Sequence, residues 1–201
     1  PFIVKNGFEA YRAYGTETSP GTMLFAMSGA VKNPGVYELA FGNKMIDFLN
    51  EVGGGMKDGK KLKALIPGGS SCPILTADEV QTAVLDYESM WDIGSTLGTG
   101  GMIVIDDSQN MVDVAKNLIE FYHHESCGQC TPCREGTSWI DKILKEILEG
   151  NGSEKDLETI LDVCETMNGK TVCVFAPAVK DIIKSIVIKF RNEFIQEFKK
   201  S

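Results

Sequence analysis

Glu125-Ser126-Cys127-Gly128-Gln129-Cys130-Thr131-Pro132-Cys133-Arg134-Glu135-Gly136 is the stretch on which the reading of this chain turns. Cys127, Cys130 and Cys133 follow one another with two residues between each, and Cys173 stands remote in Lys170-Thr171-Val172-Cys173. C-x2-C-x2-C with one distant Cys is the spacing of a [4Fe–4S] site. Three thiolates from one tight loop can reach three iron corners of a cubane. The fourth corner faces away and takes its ligand from elsewhere in the fold.

Other readings of these cysteines fit less well. Structural zinc usually draws its ligands as two separated pairs. A Cys-x-x-Cys redox pair leaves the third cysteine unexplained. Disulfides would need an oxidising compartment, and nothing here reads as a secretory signal. Cys164 falls on the apolar stripe of a helix and reads as core; Cys72 lies in a Gly/Ser loop with its role open.

Outward from the loop, the sequence reads as helices on both sides. Asp107 or Ser108 is placed to cap a first helix, with Met111, Val114, Ala115, Leu118, Phe121 and Tyr122 on one face up to His123. A second is expected from about Glu135 to Glu149, with Trp139, Ile140, Ile143, Leu144, Ile147 and Leu148 as its stripe and Asp141–Lys145 and Lys142–Glu146 on its wet side. Ser153-x-x-Asp156 resembles a capping box before a third helix bearing Leu157, Ile160, Leu161, Cys164 and Met167, which stops at Asn168-Gly169. Pro177 suits the first turn of a last helix, whose stripe runs from Val179 through Ile186 to Phe194. Four helices with short links imply an antiparallel bundle, with both cysteine segments at helix ends. His123 and His124 read as surface or packing residues. Arg134 could offset cluster charge, but by default it is a solvated residue at a helix start.

Earlier in the chain the pattern changes. Thr22–Ser28 and Val36–Leu39 read as a hairpin around Lys32-Asn33-Pro34-Gly35, with Gly35 supplying the positive φ. Lys44–Val52 has helical spacing and Gly53-Gly54-Gly55 stops it. Leu62–Ile66 and Met102–Ile105 are further strands, the latter after Gly98-Thr99-Gly100-Gly101. A hairpin, one helix across it and more strands is the plan of a β-grasp, ubiquitin-like domain. Gly54-x4-Gly59-Lys60-Lys61 approaches a phosphate loop but lacks its Ser/Thr and follows a helix where a strand is required. The predicted class is therefore α+β: a connecting arm over 1–21, a β-grasp domain over 22–105 and a four-helix iron–sulfur bundle over 106–201.

The 201 residues are 43% hydrophobic and 24% charged, with a net charge of −8. That balance argues against a nucleic-acid surface and against direct binding to anionic lipid. No apolar run approaches the roughly 18 residues of a membrane span. The start at Pro1, with no charged or transit-like segment, is expected to be an internal start of a longer protein.

The cysteine stretch resembles the cluster signature of the NADH-binding flavoprotein subunit of respiratory complex I, the NADH-quinone oxidoreductase family, and of related diaphorase subunits of NAD-linked hydrogenases and formate dehydrogenases. The resemblance extends through Ser28-Gly29-x-Val31-Lys32-Asn33-Pro34-Gly35, Ile66-Pro67-Gly68-Gly69-Ser70, Gly98–Gly101 and Lys170–Cys173. It implies a soluble-ligand-binding β-grasp domain followed by an iron–sulfur helical domain, with Cys127, Cys130, Cys133 and Cys173 as ligands of one [4Fe–4S] cluster. It implies electron transfer from NADH through FMN to a thioredoxin-like [2Fe–2S] subunit and a large multi-cluster subunit. By the same resemblance the setting is cytoplasmic, peripheral to the inner face of the cell membrane through partners, or the mitochondrial matrix. The family's Gly-rich FMN and NADH loop does not occur here, so these residues are expected not to bind either by that route. Val174-Phe175-Ala176 also departs from the Gly-Asp pair that usually follows the family's fourth cysteine.

Overall fold

The computed structural model describes residues 1–198, which fall into two compact units, Pro1–Ser108 and a second from Gln109 onward. The first unit opens with two short helices, α1 (Phe2–Asn6) and α2 (Phe8–Arg12). Tyr11 fixes α2 to the sheet: its hydroxyl both donates to Thr22 O and accepts the Thr22 N–H, each at 3.1 Å. The sheet holds β1 (Thr22–Gly29), β2 (Gly35–Ala40), β3 (Leu62–Ile66), β4 (Leu75–Thr76) and β5 (Gly101–Asp106) in the order β2-β1-β5-β3-β4. β1 is antiparallel to β2 and parallel to β5, while β3 is antiparallel to both β5 and β4. This is the β-grasp arrangement that the hairpin–helix–strand pattern predicts.

Strand alternation sets the core. Phe25 and Met27 on β1 point inward and are buried, whereas Leu24 between Met23 and Phe25 is exposed. Met45, Phe48 and Leu49 pack in one core cluster with Phe25 and Met27 and with Leu65, Met102 and Val104 of strands β3 and β5. Each such side chain contributes roughly 1.5–3 kcal/mol when fully buried. The expected Lys44–Val52 helix divides: α3 (Met45–Asp47) runs into a π turn at Phe48–Val52, which Gly53 closes by donating to Phe48 O at 3.0 Å. The hairpin also differs in detail. Gly35 starts β2 in an ordinary conformation, and the positive φ falls on Gly29 (86°), whose missing Cβ would stand 2.2 Å from Val104 O.

Between β3 and β5 lie two helices that periodicity cannot reveal, α4 (Ala77–Thr82) and α5 (Tyr87–Asp92). Six residues are too few for an apolar stripe, so their caps define them. Glu79 accepts the Thr76 N–H at 2.7 Å, and Asp86 accepts the Ser89 N–H at 2.7 Å.

The second unit is built from α6 (Met111–Glu125), α7 (Thr131–Leu148), α8 (Glu154–Met167) and α9 (Phe175–Lys189), followed by α10 (Arg191–Glu197). Consecutive helices pack together and α9 closes back on α6. Ile119, Ile140, Leu144, Ile160, Ile182 and Ile186 are fully buried between them. Several boundaries differ from the sequence reading. Asn110 caps α6 by accepting the Val112 N–H at 2.8 Å, because Asp107 is engaged with the Lys61 N–H and Ser108 with Asp106. The last predicted helix breaks at Phe190 (φ −115°, ψ 23°) into α9 and α10. Phe121 and Trp139, assigned to inner stripes, are exposed, and Ile119 and Val163 are buried in the α6 and α8 stripes. Asp141 turns toward α6 and meets Lys116 at 3.0 Å, away from the i,i+4 partner Lys145.

Candidate metal centre

α7 begins at Thr131, four residues earlier than its apolar stripe predicts, and this places the cysteines in two environments. Cys130 is the N-cap and Cys133 lies within the first turn, where Pro132 needs no N–H partner. Cys133 is buried, Cys130 half-buried, and Cys127 exposed in the Ser126–Cys130 loop.

Cys173 arrives from the other side. α8 stops at Met167, and residues 168–174 carry the chain to α9. Gly136 allows α8 to come close to α7: a Cβ there would lie 2.6 Å from Met167 Sδ and 2.9 Å from its Cγ. The segment after Met167 thereby reaches the cysteine loop, and the Val172 N–H donates to Cys130 Sγ at 3.4 Å. Cys173 itself is exposed, flanked by the exposed Val172 and Val174. Among the described residues no three Cys, His, Asp or Glu side chains converge tightly enough to hold a single metal ion.

Polar contacts organise the loop. Gly128 has φ 75°, a conformation that suits glycine, and its carbonyl accepts from Arg134 Nη1 at 2.7 Å. Arg134 Nε is held by Glu135 Oε1 at 2.9 Å. Arg134 is thus a loop clamp rather than a freely solvated residue. Ser126 Oγ is 3.3 Å from Cys133 Sγ and 3.4 Å from the Gly128 N–H. Thr137, fully buried, donates to Cys133 O at 2.9 Å and ties the first turn together. Neither Ser126 nor Val172 is legible as a site residue from spacing alone, since each acts through a contact that only the fold creates.

The remaining candidates stand apart. Cys164 is fully buried on α8, and burial pushes its thiol up to about 12, so it stays protonated. Cys72 is buried in the first unit. His123 Nδ1 lies 3.7 Å from Asp141 and His124 Nε2 lies 4.0 Å from Glu125. These contacts are with carboxylates and not with the cysteine loop.

Comparison with known proteins places these features in a family. Residues 23–105 match the SLBB domain, and residues 113–197 match the family described as the NADH-ubiquinone oxidoreductase-F iron-sulfur binding region. Residues 113–197 belong to that oxidoreductase-F iron–sulfur binding family. An F subunit of NADH-quinone oxidoreductase in Rhizobium meliloti (strain 1021) is 42% identical over 195 residues, 97% of this chain and 46% of that protein. The corresponding F subunit of Escherichia coli (strain K12) is 41% identical over 195 residues, 96% of this chain and 44% of that protein. The chain therefore spans slightly under half the length of these oxidoreductase-F relatives. Among solved structures, the air-oxidized NAD+-reducing [NiFe]-hydrogenase superposes with a TM-score of 0.87 at 30% identity, over 98% of this chain and 33% of that one. Its H2-reduced state superposes with a TM-score of 0.86 at 29% identity, over 99% of this chain and 33% of that one. Among the described residues no helix is long and apolar enough to cross a membrane.

Proposed function

We propose that this chain is the electron-transfer portion of an NADH-quinone oxidoreductase flavoprotein subunit, and that Cys127, Cys130, Cys133 and Cys173 hold one [4Fe–4S] cluster. The observation that carries the reading is the Val172 N–H bond to Cys130 Sγ at 3.4 Å, which joins the three-cysteine loop to the segment of the fourth cysteine. The donor set suits the group. Structural zinc usually draws its ligands as two separated pairs, which three closely spaced cysteines and one remote one do not form. A cubane asks instead for thiolates around a volume, one per iron. Cys164 cannot readily compete as a ligand, because its buried thiol resists deprotonation.

When bound, the group supplies exchange of single electrons. The chain's own residues hold and tune it. The α7 N-terminus and Arg134 set positive potential beside the cysteines, and the Val172 amide donates to sulfur. In the complete protein we read NADH as the donor and FMN as the intermediary, both bound outside these residues. A thioredoxin-like [2Fe–2S] subunit and a large multi-cluster subunit take the electrons onward. The setting is cytoplasmic, peripheral to the inner face of the cell membrane through those partners, or the mitochondrial matrix. The likeness to NAD+-reducing hydrogenase supports a second reading, a soluble diaphorase, with the same site and chemistry.

The test is iron content and redox behaviour of the anaerobically purified protein. Four irons per chain and reversible one-electron reduction are expected. Cys127→Ser, Cys130→Ser, Cys133→Ser and Cys173→Ser should each remove or badly degrade the cluster, whereas Cys72→Ser and Cys164→Ser should keep it. Loss of iron in Cys164→Ser, with retention in Cys173→Ser, overturns the assignment. A cluster inert to dithionite would point to a structural role instead.

A further inference from the structure

Ser126 is the C-cap of α6 and opens the cysteine loop. Its Oγ lies 3.3 Å from Cys133 Sγ, and the same oxygen accepts the Gly128 N–H at 3.4 Å. A serine hydroxyl has one proton to give and two lone pairs. With one lone pair engaged by Gly128, the proton is left for the sulfur. Either atom can donate while Cys133 is a thiol. As a metal-bound thiolate the sulfur has no proton and only accepts.

We infer that Ser126 is a positioning residue for redox potential: its hydroxyl donates a hydrogen bond to the Cys133 sulfur and makes the bound cluster easier to reduce. The inference rests on Cys133 being a cluster ligand. Reduction adds negative charge that is shared with the sulfurs, so a donor aimed at one of them stabilises the reduced form more than the oxidised form. Hydrogen bonds to sulfur and solvent exposure are among the factors that set such potentials. Of the four proposed ligands Cys133 is where the effect is largest. It is 7% exposed, in a setting of low dielectric, whereas water competes for the sulfurs of the exposed Cys127 and Cys173. A second donor to a ligand sulfur among the described residues, the Val172 amide, belongs to the backbone and survives side-chain replacement. Ser126 is therefore the position at which such a bond can be removed by one substitution.

The experiment is a redox titration followed by electron paramagnetic resonance on the anaerobically purified protein, with iron content measured first. Wild type, Ser126→Ala and Ser126→Thr are compared. Ser126→Ala with its iron intact should show a reduction equilibrium about tenfold less favourable, a shift of about 59 mV to lower potential for a one-electron couple. Ser126→Thr keeps a hydroxyl and should titrate with the wild type. An iron-loaded Ser126→Ala with the wild-type potential overturns the inference. If Ser126→Ala does not retain its cluster, the wild type decides by resonance Raman spectroscopy. Fe–S stretching bands that shift in D2O within the mixing time support a hydroxyl donor, and bands that do not shift overturn it. A wild type without a [4Fe–4S] cluster, or a Cys133→Ser protein that keeps one, refutes the ligand assignment and the inference with it. Iron content reveals that case before any potential is measured.

Discussion

Gly68 in the β-grasp unit and Gly136 in the helical unit each leave room for a neighbour, but the neighbours differ. A Cβ on Gly68 would stand 2.0 Å from Leu97 O and 2.2 Å from Leu97 C, both backbone atoms. A Cβ on Gly136 would meet side-chain atoms only, Met167 Sδ at 2.6 Å and Cγ at 2.9 Å and Val163 Cγ1 at 3.3 Å. In the first unit glycine lets two loops, 67–71 and 95–100, pack main chain against main chain. Thr99 N and Thr99 Oγ1 both donate to Gly68 O, at 3.2 and 3.3 Å. In the second unit glycine lets one helix approach another, and the cysteine segments meet at that end. Glycine thus serves loop architecture in one unit and the proposed metal site in the other.

The sharpest way to break this contrast is Gly68→Ala. Backbone cannot swing aside as a side chain can, so the loops must separate or the sheet must shift. We expect a loss of about 3 kcal/mol, at the upper end of ordinary overpacking, read by denaturant unfolding of the first unit. Iron content should not change, since Gly68 and the proposed ligands lie in different units. An Ala variant as stable as wild type would show that the loop contact is soft.

Gly136 should respond less, and differently. Gly136→Ala gains up to about 1 kcal/mol of helix propensity, while Met167 moves to another rotamer, so the net change is small. Gly136→Val adds branches against Met167 and Val163, which lies 3.3 Å from the built Cβ, and should cost about 2 kcal/mol. Because α8 is then displaced from α7, the Val variant should also lose iron. Unchanged iron in a destabilised Gly136→Val would separate the helix contact from the proposed site.

The same contrast explains what was legible in the sequence. Four of the five described strands and the four long helices are readable because alternation and 3.6-residue periodicity persist over enough residues, whereas β4, two residues long, shows no alternation. The cysteine spacing was readable because it is local. α4 and α5 were not, although Thr76-x-x-Glu79 carried a capping signature that marks the start of α4. The early start of α7 was hidden because its first turn, Thr131–Arg134, carries cysteine chemistry and no apolar stripe. Asp141 was misplaced because i,i+4 spacing offered Lys145, while the fold offers Lys116 from α6. The contacts of Ser126, Val172 and Arg134 depend on segments distant in sequence or on a turn of the loop, so spacing could name the proposed ligands but not what holds them.

The smallest effect expected concerns charge on the wet side of the bundle. Lys184 of α9 reaches Glu165 of α8, next to the buried Cys164. The Lys184 hydrogen bond holds the Glu165 carboxyl below its usual value of 4.5, and the Glu165 hydrogen bond raises the Lys184 ammonium above 10.5. For Glu165 the folded pKa is the lower one. Its contribution is therefore fully present above about 4.5 and is lost as pH falls through the folded value. For Lys184 the folded pKa is the higher one, so its contribution is present below 10.5 and is lost as pH rises past the folded value. Both groups are substantially exposed, so water and salt screen the pair. Lys184→Met should then differ slightly from wild type in unfolding midpoint at pH 7, and the difference should shrink both below the carboxylate range and in 1 M salt. A difference that persists unchanged under both conditions would mean that the effect of the substitution does not come from the Lys184–Glu165 charge pair.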